Sequence, residues 1–201
     1  MLDLLRAYPL ASVVTHDDAG LDANPVVLLA DADASGTPHH LRGHVARANS
    51  LWQRAGEHGC EILALFHGAQ AYVSPSAHPR KSVDGKVVPT WNYSVVQVAG
   101  RLRAVHDARW LRALVGELTE RHEASRTPRW SVDDAPANYL QAMLEGIVGI
   151  EIEVERVTAK FKLSQNHPAH AREALAHELL RGNEASQQVA TQMLRPPGGS
   201  G

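Results

Sequence analysis

The strongest evidence for the fold comes from residues 147–168, IVGIEIEVERVTAKFKLSQNHP. The first half of this segment alternates the apolar residues Ile150, Ile152 and Val154 with glutamates. Because side chains of a β-strand point alternately to its two faces, this period of two predicts a strand with one face toward a core and the other solvated or against a polar neighbour. The predicted strand continues to Leu163, after which polar residues and a proline end it.

Runs of apolar and β-branched residues, bounded by turn-forming residues, recur along the rest of the chain. They predict strands at 10–15, 21–30, 39–46, 60–68, 70–76 and 90–106. We expect 60–68 and 70–76 to form a hairpin. Pro25 is expected at a sheet edge or irregularity, and Gly100 at a bulge or bend.

Helical periodicity is inserted between these strands and does not alternate regularly with them. It predicts helices at 2–8, 47–59, 107–124, from Pro136 onward, and at 168–194 with a break at 181–183. In the helix after Pro136 we expect Tyr139, Leu140, Met143 and Leu144 to face inward. This order predicts a mainly β protein with peripheral helices (β+α), built on an antiparallel barrel.

The length of 201 residues suits one well-buried core. We expect a single domain over 1–181, followed by a C-terminal helix and flexible tail over 182–201. No apolar stretch approaches the roughly 18 residues of a membrane span, and no signal-peptide pattern occurs. The single cysteine, Cys60, cannot form an intramolecular disulfide. These features predict a cytoplasmic protein.

The chain has 20 basic and 22 acidic residues, so it has no overall positive field that would favour non-specific DNA binding. No helix-turn-helix pattern is recognisable. DNA is therefore a candidate partner that neither charge nor motif supports.

Common catalytic patterns are missing from the sequence: a phosphate-binding loop, a dinucleotide fingerprint, a nucleophile elbow and a C-x-x-C pair. His40 and His44 share a strand face, but Arg42 lies between them, and a guanidinium disfavours a divalent cation. We therefore expect no metal site. Ser74 and Ser76 flank Pro75 and are typical of a turn, so no catalytic residue is assigned.

A stronger signal comes from polar and cationic residues that follow strand ends in four stretches. These are LRGHVARANSLW (41–52), AYVSPSAHPRK (71–81), VVPTWNY (87–93) and KFKLSQNHP (160–168). The cations in or beside these stretches that suit a phosphate are Arg42, Arg47, Lys81, Lys86, Lys160 and Lys162. Their neutral hydrogen-bonding side chains are Thr90, Asn92, Ser164, Gln165 and Asn166. Any one of them alone is typical of a solvated surface, but together they indicate a ligand site.

These stretches resemble the PaiB-like family of FMN-binding negative transcriptional regulators. That family belongs to the FMN-binding split-barrel superfamily, which also contains the pyridoxamine phosphate oxidases. The likeness runs from YPLASVVT to SQNHP, and GHVARAN, VVPTWNY and KFKLSQN are its specific parts. The resemblance implies a six-stranded antiparallel split barrel, a homodimer, and FMN at the subunit interface. The cofactor-binding residues it implies are His44, Arg47, Asn49, Lys81, Thr90, Trp91, Asn92, Lys160, Lys162, Ser164 and Gln165.

Two departures from the family pattern bear on these expectations. Family members usually carry a further segment ahead of the first helix, and we expect its loss to weaken a dimer contact. Where members often have aromatic residues after SPS, this chain has Ala77 and His78, which changes the surface beside the expected flavin.

Three functions remain open from the sequence. The first is a flavin-binding homodimer with a regulatory role, and the second is an FMN-dependent oxidoreductase of the pyridoxamine phosphate oxidase type. The third is a haem-binding split barrel in which His44, His67 or His78 is the axial ligand. For the flavin site we expect Lys160 and Lys162 to face the cofactor or the partner subunit, while Phe161 and Leu163 anchor the strand.

Overall fold

The computed structural model describes residues 1–195, so residues 196–201 of the expected flexible tail lie outside the described residues. The strands are β1 (Leu10–Asp17), β2 (Gly20–Ala32), β3 (Pro38–Ala46), β4 (Cys60–Val73), β5 (Thr90–Val105) and β6 (Ile147–Lys162). The helices are α1 (Leu2–Ala7), α2 (Leu51–Arg54), α3 (Ala108–Glu123), α4 (Ala137–Glu145), α5 (Ala169–Leu179) and α6 (Glu184–Leu194). None of the helices in residues 1–195 has the length and apolar character needed to cross a membrane.

The six strands form a closed barrel in the order β1, β2, β3, β6, β5, β4. The predicted class, a six-stranded antiparallel barrel with peripheral helices, is confirmed. Pro25 faces Ser12 across the β1–β2 ladder. The pairing of β2 with β3 begins only at Leu28, so Pro25 lies where β2 lacks that neighbour, as expected of a residue without a backbone N–H.

Alternating burial in β6 follows the sequence prediction, because Ile150 and Ile152 are fully buried while Glu153 is exposed. Gly100 lies inside the continuous strand β5, at a point of very close approach to β6. A Cβ atom at this position would lie 2.2 Å from the carbonyl oxygen of Glu153. The barrel therefore needs a residue without a side chain here.

The chain divides into two compact units. The first, which we call the barrel unit, comprises Leu2–Phe66 and Gln97–Val157. The second, which we call the cavity unit, comprises Met1, His67–Val96 and residues 158–195. Strands β4, β5 and β6 contribute residues to both units.

In the barrel unit, α3 packs through Leu114 and Leu118 against Leu29 of β2, as its apolar stripe predicts. The prediction for α4 is wrong for two residues. Leu144 is buried, but Tyr139 and Met143 are 57% and 49% exposed. The nine-residue helix thus buries a narrower face than its apolar residues suggest.

Two predicted segments differ in the structure. The expected hairpin over 60–76 is one strand, β4, in which the buried positions change phase between Phe66 and Ala69. That phase change around Gly68 produces the same sequence signal as a turn. The expected helix over 47–59 is only the four-residue α2, because Gly56 adopts a left-handed φ of 53° that ends it. The predicted break near 181–183 is confirmed by the separation of α5 from α6.

Candidate functional site

A cavity of about 700 Å³ lies within the cavity unit. Three pieces of chain line it: the end of β4 with the turns that follow, the start of β5, and the segment from Lys162 into the first turns of α5. Its cations are Arg80, Lys86 and Lys162, and its histidines are His78, His167 and His170. We call it the cation-lined cavity. Its volume is in the range of sites for small molecules and cofactors.

The cations give this cavity an excess of positive charge. Within residues 1–195, the Nζ atoms of Lys86 and Lys162 have no carboxylate within 4.0 Å. The Nζ of Lys162 instead donates to the Thr90 hydroxyl at 2.8 Å. Arg80 pairs with Asp84 at 2.5 Å. The bond from Arg80, together with the backbone N–H of Lys86, lowers the pKa of Asp84. No aspartate or glutamate is among the lining residues, so the cavity suits an anion.

Asn92 and Ser164 form a buried polar pair on the cavity wall, and they are 0% and 5% exposed. The Asn92 amide donates to the Ser164 hydroxyl at 3.0 Å and to the Met193 sulfur at 3.3 Å. Ser164 has a φ of 60°, a left-handed conformation that is costly for a residue other than glycine. Thioether sulfur is a weak acceptor, so the Asn92 amide keeps hydrogen-bonding capacity that a better acceptor could use.

His78 and His167 are in contact on another part of the wall. His78 Nε2 lies 3.2 Å from His167 Nδ1, and the rings meet edge to face with centroids 5.1 Å apart. His78 Nδ1 accepts the backbone N–H of Arg80 at 3.1 Å. His78 is 7% exposed, and its burial, reinforced by His167 and Arg80, lowers its pKa.

The structure brings five of the predicted cofactor residues to this cavity: Thr90, Asn92, Lys162, Ser164 and Gln165. The Gln165 side chain also forms hydrogen bonds with the backbone at the end of β6. Its Oε1 accepts from Leu163 N at 2.7 Å, and its Nε2 donates to the carbonyl of Phe161 at 2.5 Å. The VVPTWNY and KFKLSQNHP stretches therefore do converge.

Three other predicted residues of the same unit do not line the cavity. Trp91 is 49% exposed and donates to Gln70 at 3.1 Å, and Lys160 lies over the Tyr93 ring, 5.9 Å from its centroid. Lys81 is exposed in the turn after β4. The expected anchoring role of Phe161 is wrong, because this side chain is 40% exposed. The buried residue at this end of β6 is Ser164.

The remaining three predicted residues belong to the barrel unit. Arg47 donates from Nε to the carbonyl of Glu145 at 2.6 Å and from Nη2 to that of Ile147 at 3.1 Å, which satisfies backbone at the end of α4. Asn49 donates to Asn24 at 2.8 Å and accepts from Leu51 N at 2.8 Å. Arg47 and Asn49 therefore stabilise the local structure of the barrel unit through these hydrogen bonds.

His44, the third of these predicted residues, lacks such contacts at one ring nitrogen. Its Nδ1 is buried and has no hydrogen-bond partner among the described residues. Burial lowers its pKa. An unpartnered buried nitrogen is the kind of group that a ligand or an ordered water satisfies.

Four residues of this cavity are not predicted by the sequence as flavin ligands: Arg80, His78, His167 and His170. The sequence predicts Lys86 as a cation for a phosphate and His78 only as a haem ligand, and His167 lies within KFKLSQNHP. Its signal was the repeated His-Pro of AHPRK and NHP, each at a turn entering a helical segment.

Comparisons with known proteins agree with the fold and the flavin expectation. Residues 1–156 match the family model described as "Putative FMN-binding domain". An uncharacterised protein of Aspergillus fumigatus is 33% identical over 191 residues, covering 79% of this chain and 73% of that protein. The "protease synthase and sporulation protein PAI 2" of Bacillus subtilis is 35% identical over 131 residues, covering 64% of this chain and 58% of that protein.

Two solved structures share the fold at low sequence identity. The FAD and heme binding protein from Mycobacterium smegmatis has a TM-score of 0.57 and 19% identity, covering 88% of this chain and 75% of that one. The flavocytochrome Anf3 from Azotobacter vinelandii has a TM-score of 0.57 and 14% identity, covering 79% of this chain and 64% of that one. Both support the split-barrel architecture. PAI 2, which is PaiB of Bacillus subtilis, is among the relatives. The family match over residues 1–156 shows that the chain belongs to the FMN-binding domain family, whose cofactor is FMN.

Proposed function

We propose that this protein binds FMN in the cation-lined cavity and acts as a flavin-binding homodimer with a regulatory role in the cytoplasm. The observation that carries the proposal is the charge of the cavity. Lys86 and Lys162 line it with no carboxylate partner in residues 1–195, which leaves two cations for a phosphate. FMN is the family's cofactor and carries one phosphate group.

The donor set of the cavity fits the other parts of FMN as well. The Asn92 amide and the Ser164 hydroxyl can donate and accept, as the edge of a flavin ring or the hydroxyls of a ribityl chain require. When bound, FMN supplies the electron chemistry, while these residues bind and orient it. We assign no hydride donor or substrate.

Haem fits the same cavity less well. Both ring nitrogens of His78 take part in hydrogen bonds, so neither is free as an axial ligand in this arrangement. The cations and amides suit a phosphorylated ligand better. His44 and His67 do not line the cavity.

The homodimer is supported by apolar side chains on the outer face of the barrel unit. Leu10 and Val27 face each other across the β1–β2 ladder and are 59% and 37% exposed. A second copy that covered this pair would remove its apolar surface from water. The regulatory role follows the PaiB-like family, and the printed name of PAI 2 links that relative to protease synthesis and sporulation. The net charge of −2 does not favour direct DNA binding.

Titration of the purified protein with FMN and with riboflavin tests the placement of the phosphate. The double variant Lys86→Ala/Lys162→Ala should lose about 100-fold or more in FMN affinity, because it removes two charge-assisted hydrogen bonds and each is worth roughly 1.5–3 kcal/mol. Riboflavin has no phosphate, so its affinity should change little.

Lys81→Ala is the matched control, because Lys81 is an exposed lysine beside Arg80 that does not line the cavity. Its FMN affinity should stay within about two-fold of the parent protein, well below the tenfold that roughly 1.4 kcal/mol represents. An unchanged FMN affinity in the double variant would rule out this cavity as the phosphate site. A monomer at micromolar concentration in sedimentation would contradict the homodimer.

A further inference from the structure

The His78 and His167 pair has a tautomer that its hydrogen bonds determine. His78 Nδ1 accepts the Arg80 N–H, so a neutral His78 carries its proton on Nε2. That proton points along the 3.2 Å contact to His167 Nδ1, which must therefore accept. A neutral His167 then carries its proton on Nε2. The backbone of Arg80 thus sets the protonation pattern of a ring 89 residues away from His78 in sequence.

The same contacts leave no acceptor for a further proton on the inner nitrogen of either ring. A proton added to His78 Nδ1 would meet the N–H of Arg80, and a proton added to His167 Nδ1 would meet the N–H of His78. The cations around His78 also oppose an added proton on that ring, because Arg80 lies beside it and Lys86 and Lys162 line the same cavity. Asp84 is the nearby carboxylate, and it is engaged by Arg80.

We propose that His167, held by His78 in the tautomer with the proton on Nε2, is a neutral hydrogen-bond donor of the cation-lined cavity to an oxygen of a phosphate group. His78 is its positioning residue. The inference rests on the proposed binding of a phosphorylated flavin in this cavity. Lys86 and Lys162 supply the charge, while His167 supplies a directed donor that stays neutral among cations.

A purely structural pair predicts something different. If the pair only connects the turn after β4 to the segment after β6, ligand affinity should not depend on whether the Nε2 position of His167 carries a hydrogen-bond donor. A ligand-binding donor requires that atom to remain a donor. Glutamine can present an amide N–H near the Nε2 position of histidine, whereas leucine cannot donate.

The experiment records the nitrogen NMR signals of the histidine rings with and without inorganic phosphate, FMN or riboflavin. In the free protein His167 should show a protonated Nε2 and an unprotonated Nδ1, and His78→Phe should release it to a mixture of both tautomers. Phosphate and FMN should shift the His167 Nε2 signal, whereas riboflavin should leave it near its free position.

Affinity measurements on three variants complete the test. His167→Leu should weaken FMN about ten-fold and phosphate by a similar factor, the size of one hydrogen bond to a charged group. His167→Gln should recover most of that loss. His177→Leu is the control, because His177 is exposed on α5, the helix that follows His167, and does not line the cavity.

The outcomes separate this inference from the proposed function. A His167 that carries its proton on Nδ1 in the free protein overturns it, and so does a His167→Leu variant that binds phosphate and FMN normally. If FMN leaves every cavity signal unmoved while phosphate shifts His167 Nε2, the donor is supported and the flavin placement fails.

Discussion

Two arginines of the barrel unit and two lysines of the cavity unit have contrasting partners. In the barrel unit, Arg42 bonds to Asp31 at 2.5 Å and to Glu117 at 2.7 Å. Arg54 likewise contacts Asp17 at 2.8 Å and Asp22 at 3.6 Å. In the cavity unit, Lys86 and Lys162 line a cavity and have no such carboxylate within residues 1–195.

This difference separates structural cations from cations available to a ligand. Hydrogen bonding to Asp31, with a further bond to Glu117, raises the pKa of Arg42 against the effect of its burial. An anion that approached Arg42 would have to displace two carboxylates. An anion that enters the cavity displaces only water and one hydroxyl contact, because the Thr90 hydroxyl is the partner of Lys162. The type of partner, rather than the type of cation, distinguishes the two sites.

The largest expected effect concerns the packing of the barrel unit, which holds its structural cations in place. In Gly100→Ala the new methyl group would lie 2.2 Å from the carbonyl oxygen of Glu153, so strand β5 or β6 must shift. We expect a loss of about 3 kcal/mol or more in the free energy of unfolding, at the upper end of overpacking effects. Urea denaturation measures it.

Gly116→Ala is the control for that experiment, because Gly116 lies within α3 and an added Cβ would meet nothing within 4 Å. Alanine there should stabilise the protein by up to about 1 kcal/mol. If Gly100→Ala were as stable as the parent protein, the close approach of β5 to β6 would not be a constraint of the barrel.

The second test compares one cation from each unit. Arg42→Met should cost about 1–3 kcal/mol in the free energy of unfolding, since it leaves Asp31 and Glu117 without their shared partner. Its folded fraction should bind FMN with unchanged affinity. Lys86→Met should show the reverse, with unchanged stability and an FMN affinity reduced about ten-fold.

The measurements are urea denaturation and FMN titration on both variants. The comparison between the units fails if Arg42→Met weakens FMN binding as much as Lys86→Met does. It also fails if Lys86→Met destabilises the protein as much as Arg42→Met, because Lys86 would then be a structural cation.

The strands of this protein could be predicted because apolar and polar residues alternate along the sequence of each strand. Ile150 and Ile152 are buried as their spacing indicates. The split of β4 into two strands was wrong because a phase change within a strand and a turn between strands have the same local pattern. The length of α2 depended on the φ of Gly56, which the sequence does not determine.

The site was predicted only where local motifs carry it. Asn92 and Ser164 come from the TWNY and KLSQN motifs and do meet at 3.0 Å. The contact of His78 with His167 joins residues 89 positions apart, and the two His-Pro pairs mark turns without showing that the turns meet. Arg47 was assigned to a phosphate by its charge, but backbone carbonyls satisfy its Nε and Nη2. Charge identifies a candidate, whereas partners decide its role.

The smallest expected effect concerns pH and compares one histidine from each unit. Burial lowers the pKa of both His44 and His78 relative to an ordinary histidine near 6.5, and His167 and Arg80 add to the effect at His78. Below that pH the unfolded chain binds protons that these rings in the folded protein resist. Stability should therefore be constant in this respect above about pH 6.5 and fall as the pH decreases below it.

Urea denaturation between pH 7.5 and 5 measures the slope, to which each histidine contributes at most about 1.4 kcal/mol per pH unit. His44→Gln and His78→Gln should each reduce it. His78→Gln should also lower the stability at pH 7.5, because the Arg80 N–H loses its present acceptor, whereas His44 Nδ1 has no bond to lose among the described residues. Stability that rises on acidification from pH 7.5 to 6 would show that the folded protein binds the proton more tightly, and would reverse the assignment of both rings as neutral.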